Sequence, residues 1–150
     1  MSDYFSITNT TKGRIPSCPF ELIKNDILGD KYDLSIAFVS EKKSQEYNKT
    51  YRGKDKSTNI LSFAYSKKEG ELIICPAVVK KEAKNFDRNY KNFLGYLVIH
   101  GMLHLKGMQH SSRMDKAEEK YDQKYFNRHR LGVSNDKSRG GRILKRRKKS

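Results

Sequence analysis

The sequence has only two cysteines, Cys18 and Cys75, far apart and without CxxC pairing. That excludes a disulfide framework. Each reads as a small buried hydrophobe, and a reduced, cytoplasmic protein is expected. Long apolar runs are also missing. The most apolar window, FLGYLVIHGMLHL, is too short to span a bilayer and carries two histidines, so no membrane association is expected. The opening MSDYFSITNT has no basic segment leading into an apolar one, so no signal peptide is expected. No internal repeat is visible. Acidic residues are scarce, at 17 Asp and Glu against 32 Lys and Arg, a net charge of +15 over 150 residues. The closing KSRGGRILKRRKKS (137–150) contains no acid at all, and the rest of the chain is basic too. This balance favours a polyanionic partner, nucleic acid ahead of an anionic membrane surface.

What is present suits one domain with a modest core, at 35% hydrophobic residues. Residues 1–15 read as an edge strand or a loose arm. Pro19 suits the first position of a helix whose apolar face is Phe20, Ile23 and Ile27 and which Gly29 ends. DLSIAFV (33–39) alternates Leu34, Ile36 and Phe38, the pattern of a half-buried strand. Ser40 caps a short polar helix reaching about Tyr51, and RGKDKST (52–58) is a basic loop. NILSFAY (59–65) and ELIIC (71–75) read as strands joined by a hairpin through SKKEG. Pro76 opens a helix, Asn85–Asn89 breaks it, and a longer helix runs from Tyr90 to Lys106 with Gly107 as its stop. A last helix covers 114–128, with Met114, Ala117, Tyr121 and Tyr125 on one side. The expected class is α+β, a small mixed sheet packed with helices, with residues 1–131 as a single domain and 132–150 as a disordered basic tail.

Three of the four histidines fall in one stretch, His100-Gly-Met-Leu-His104-Leu-Lys-Gly107-Met-Gln-His110. Histidines four apart on a helix share a face, about 6 Å apart along the axis. A third ligand on the same straight helix would leave that face. Gly107 can adopt a left-handed conformation and turn His110 back toward the pair. Three imidazoles with one open position are the pattern of catalytic zinc, so one zinc per chain on His100, His104 and His110 is expected. Three neutral ligands leave the ion its full charge, the setting that lowers the pKa of bound water to about 7. His129 reads as a solvated residue. The spacing HxxxHxxGxxH is also that of metzincin proteases, but Gly101 stands where their general-base Glu would be, which counts against a peptidase.

The segment HGMLHLKGMQH (100–110) resembles the metal motif HGxLHLxGxDH of the YbeY family of bacterial endoribonucleases, the rRNA maturation factors. YRGKDKSTNILSFAY (51–65) and GELIIC (70–75) are similar to the family's Arg-containing loop and the strands around it, and the likeness covers roughly residues 30–128. Three positions depart from the pattern: Gln109 for Asp, Glu71 for Asp and Ser57 for a frequent Pro. The basic tail also goes beyond the family's usual ending. The resemblance implies a zinc-dependent endoribonuclease specific for single strands. It would act in ribosomal RNA processing and ribosome biogenesis, with rRNA and the small ribosomal subunit as partners. Arg52 matches the family's arginine and opens the basic loop, so with the three histidines it is the expected catalytic residue, a planar guanidinium placed to stabilise charge on a phosphoryl group.

Lys54 and Lys56 read as substrate steering or surface charge. Tyr51, Phe63 and Tyr65 suit base stacking, but residues of this kind in and beside strands are more often core. Two other functions compete. One is a non-catalytic RNA-binding assembly factor with a structural metal, for which a fourth protein ligand would speak. The other is a metallohydrolase of a different substrate class.

Overall fold

The computed structural model of the chain describes residues 3–126. The expected tail at 132–150, His129 and the domain's expected last residues, 127–131, lie outside the described residues.

Of the edge strand or loose arm expected at the start, the structure shows the edge strand, β1 (Phe5–Asn9), which runs parallel to β2 (Asp33–Phe38) with Ile7 opposite Ile36. Period-two alternation in β2 sends Leu34, Ile36 and Phe38 into the core. Between these strands lies α1 (Phe20–Ile27). Pro19 is its cap rather than its first helical residue, and Gly29, at φ 99°, ends the turn that follows it. After β2, the Ser40 hydroxyl accepts from the Lys43 amide at 3.2 Å and starts α2 (Glu41–Arg52).

β3 (Ile60–Ser66) and β4 (Glu69–Ile74) form the expected hairpin, with a tighter connection. Only Lys67 and Lys68 join the strands, and a bulge at Tyr65 absorbs the residue that the short turn leaves over. The sheet order is β1-β2-β4-β3, parallel except for β3 against β4. It is the small mixed sheet of an α+β fold.

Pro76 opens α3 (Pro76–Ala83), and a short 3-10 turn at Lys84–Phe86 follows. The Asn89 side chain then caps α4 (Tyr90–Leu105) by accepting from the Asn92 amide at 2.8 Å. α4 is buried on every side, which is why its sequence is apolar all round rather than striped. Two glycines allow that. At Gly95 a side chain would run into the Phe126 ring of α5 (Ser112–Phe126). At Gly101 a Cβ would meet Leu72 Cδ2 at 2.8 Å and Ile60 Cδ1 at 3.0 Å, so the helix lies directly on the sheet.

The Gly101 contacts give a structural reason for the missing metzincin carboxylate: the position faces the packed sheet. Gly101→Glu is expected to cost more than about 3 kcal/mol, since it combines overpacking with an unpaired buried charge. A shift of the urea midpoint would measure it, and a variant as stable as the wild type would refute the packing argument. Cys75 is the buried hydrophobe expected, whereas Cys18 is only half-buried. Neither is in a disulfide, and burial pushes the Cys18 thiol up to about 11. Among the described residues, no helix is long and apolar enough to cross a membrane.

Candidate metal centre

His100 and His104 sit one turn apart near the end of α4, with ring centroids 4.5 Å apart. The helix then closes as its sequence requires. Lys106 is the cap, Gly107 stands at φ 104°, and the Gly107 amide donates to His104 O while the Met108 amide donates to Leu103 O. This pair of bonds is a Schellman closure, and the left-handed step at Gly107 reverses the chain. His110 is thereby brought within 4.8 Å (ring centroids) of His104 and 5.4 Å of His100. One ligand atom from each of the three lies within 4.8 Å of the others.

The donor chemistry of the pair indicates what fits between the rings. Nδ1 of His104 lies 3.1 Å from the Met108 carbonyl, which can only accept, so this nitrogen carries the proton. Nδ1 of His100 lies 2.5 Å from Oε2 of Glu118, and the carboxylate again takes the accepting role. Burial, followed by the neighbouring His100 and His110, lowers the His104 pKa to about 4, so the ring is neutral at physiological pH. With its Nδ1 protonated, neutral His104 presents its Nε2 lone pair toward Nε2 of His100, 3.1 Å away. With His110 beside them, the three histidines can hold a metal ion, and their all-nitrogen donor set suits zinc or another borderline divalent ion.

Glu118 is the functional residue that sequence reasoning missed. It is 1% exposed, and its second oxygen accepts from the Tyr96 hydroxyl at 3.1 Å. The Arg88 guanidinium lies over the Tyr96 ring, 5.0 Å from its centroid, and pairs with Asp122 at 2.7 Å. A half-buried histidine, a tyrosine and an arginine thus frame the carboxylates that α5 buries. Gln109 stands where the family pattern has Asp. It is exposed, and the carboxylate found beside a ring of the cluster is that of Glu118, on His100. A carboxylate on the far nitrogen of a ligating ring fixes its tautomer and raises its basicity. Glu118→Gln is therefore expected to weaken metal binding about 10- to 100-fold, and Gln109→Asp to change it far less. Chelator competition would measure both, and a larger effect at 109 would overturn the assignment.

Arg52 is the last residue of α2, one position earlier than a loop opening, and Gly53 at φ 69° closes the helix behind it. It lines the same cavity as His100, His104 and His110, a cleft of about 1010 Å³ that Lys54 and Lys56 also border. Buried polar residues of α2 pin this basic wall. Ser44 Oγ donates to Thr58 O and accepts the Thr58 amide, and Asn48 Nδ2 donates to Lys56 O. The structure therefore brings all four expected site residues to one cleft. Tyr51 and Tyr65, read as core, are 63% and 60% exposed instead.

A model of the family described as Endoribonuclease YbeY matches residues 8–129. The protein called Endoribonuclease YbeY in Staphylococcus aureus strain JH9 is 36% identical to this chain over 109 residues, covering 63% of this chain and 70% of the relative. The protein of the same name in strain Newman matches to the same extent. A solution structure of a Thermotoga maritima protein superimposes with a TM-score of 0.59 at 26% identity, covering 88% of this chain and 95% of the other.

Proposed function

The chain belongs to the YbeY endoribonuclease family, and from that premise we propose that it is a zinc-dependent endoribonuclease that cuts single-stranded RNA during ribosomal RNA maturation. The observation that carries the reading is the convergence of three histidines and Arg52 on one cleft with a basic wall. His100, His104 and His110 would hold the metal, with Glu118 and the Met108 carbonyl orienting the first two rings. A divalent ion held there supplies Lewis-acid polarisation of a phosphoryl oxygen and activation of a nucleophile.

The protein's own residues do the rest. Lys54 and Lys56 attract the phosphate backbone into the cleft. The Arg52 guanidinium donates to the non-bridging oxygens as negative charge builds on them during cleavage, and its planar fork can engage two at once. The clamp from Ser44 and Asn48 fixes the basic loop that follows Arg52, so that wall of the cleft is in place before the substrate arrives. The basic residues of 137–150 add sequence-independent attraction for RNA in the same reading.

Two features weigh against the competing functions. Among the described residues the cluster holds three ligand side chains and no fourth, which favours a catalytic over a structural metal. The packing at Gly101 leaves no room for a peptidase's carboxylate. The test combines metal analysis with cleavage assays of the full chain on single-stranded RNA, duplex RNA and a peptide. About one zinc per chain and cutting of the single strand alone are expected. Metal-free protein that still cuts RNA, or metal-loaded protein that cuts none, would refute the proposal.

A further inference from the structure

We propose that the sheet face behind the histidine cleft, at β3 and the end of α2, is a base-stacking platform for the single-stranded RNA that leaves the cleft. The proposal rests on the endoribonuclease reading and adds a substrate subsite to it.

The sheet has two unlike faces. Leu34, Ile36, Phe38, Leu72 and Ile74 face the main core with α4. The opposite face carries a second, smaller cluster of Val39, Leu61 and Ile73, against which Tyr47 of α2 and Phe63 of β3 pack. The aromatic rings continue outward from this cluster. Tyr47 and Tyr51, one turn apart on α2, stack at 6.2 Å, and both rings contact Phe63, at 6.4 and 5.1 Å. Tyr65 stands in the β3 bulge, its hydroxyl donating to Glu71 at 2.8 Å. A bulge re-aims a side chain, and here the side chain is a tyrosine left 60% exposed. Tyr51 and Tyr65 are two of the five large hydrophobic residues that the described fold leaves exposed.

Continuity with the cleft and local charge identify the occupant. Glu41, Asn48 and Arg52 of α2 line the cleft, whereas Tyr47 and Tyr51 of the same helix face the aromatic cluster. Tyr51 and Arg52 share the last turn of α2, so a strand whose phosphate meets Arg52 has the Tyr51 ring within reach beyond the cleft. The Lys43 ammonium lies 5.9 Å from the Tyr47 ring centroid and borders the rings away from the cleft. On this face Glu46 pairs with Lys43 and Glu71 accepts from Tyr65, while the exposed Asp33 and Glu69 stand at the hairpin end of the sheet. Exposed rings beside cations such as Arg52 and Lys43 suit the binding of single strands without reading of their sequence. A four-stranded sheet with aromatics on its open face is a known geometry for that task.

The test uses the full-length, metal-loaded protein with a long uridine oligonucleotide and a trinucleotide substrate. Tyr51→Ala and Tyr65→Ala are each expected to lower the ratio of long- to short-substrate kcat/KM by about tenfold, the effect of losing one stacked base. Tyr51→Phe and Tyr65→Phe keep the ring and should keep the ratio. Ultraviolet crosslinking of iodouridine-substituted RNA to the wild type should map to Tyr51 or Tyr65. An unchanged ratio in the double alanine variant, with wild-type cleavage intact, overturns the platform alone. An equal loss on both substrates also overturns it, since it would mean a general defect. A wild type that neither binds nor cuts RNA overturns the endoribonuclease reading and the platform with it.

Discussion

Replacing His104 with alanine should strip the metal and abolish RNA cleavage while leaving the fold in place. His104 is central to the cluster, 4.5 Å (ring centroids) from His100 and 4.8 Å from His110, and its Nε2 lies 3.1 Å from Nε2 of His100. Loss of an outer partner typically costs 10- to 100-fold in metal affinity, so loss of a ligand should cost more than about 100-fold. The structural cost is small by comparison. The ring is only half-buried, and its bond to Met108 O is worth about 1 kcal/mol. Metal content after dialysis, far-UV circular dichroism and RNA cleavage, measured on one preparation, separate loss of the ion from loss of folding. His110→Ala is the companion test because it probes the Gly107 turn rather than the helix. Full zinc and full activity in that variant would mean that the turn brings His110 near the pair without making it a ligand.

The parts of the site that could be read from sequence are those dictated by local chemistry. The i, i+4 spacing of His100 and His104 fixes their shared face, and a glycine after Lys106 is where a helix reverses, so the position of His110 followed from backbone rules alone. β2, with strict alternation and a capping serine after it, was equally legible. Glu118 was not, and the reason is physical. On α5 the buried stripe is Met114, Glu118, Asp122 and Phe126, and two of its four members are carboxylates. Charged residues signal solvent unless their partners are known, and these partners, His100 and Arg88, lie 18 and 34 residues away in sequence. The apolar residues Ala117, Tyr121 and Tyr125 marked the flank of the stripe instead of its centre. The exposure of Tyr65 was hidden for a similar reason. Alternation along β3 shows which residues share a face but not which face a helix covers, and here α2 covers only the end of it.

Arg52→Lys tests whether the cleft stabilises charge or merely attracts RNA. Both side chains carry one positive charge, so long-range attraction for the phosphate backbone is preserved, and RNA affinity should change little. The shape of the donor changes. The guanidinium offers a rigid planar fork that can hold two phosphoryl oxygens, whereas the ammonium is a compact point charge on a flexible stem. Arg52 occupies the last turn of α2, beside a loop that Ser44 and Asn48 hold in place, so the fork is presented from a fixed base. If that fork meets charge that develops only in the transition state, its loss should appear in turnover, by about 100-fold or more, as when one preorganised donor is removed elsewhere. Single-turnover cleavage and equilibrium binding of the same oligonucleotide separate the two terms. The metal content should stay at the wild-type level, because no histidine is touched. A variant that binds RNA more weakly but turns it over at the wild-type rate would reassign Arg52 to substrate attraction, alongside Lys54 and Lys56.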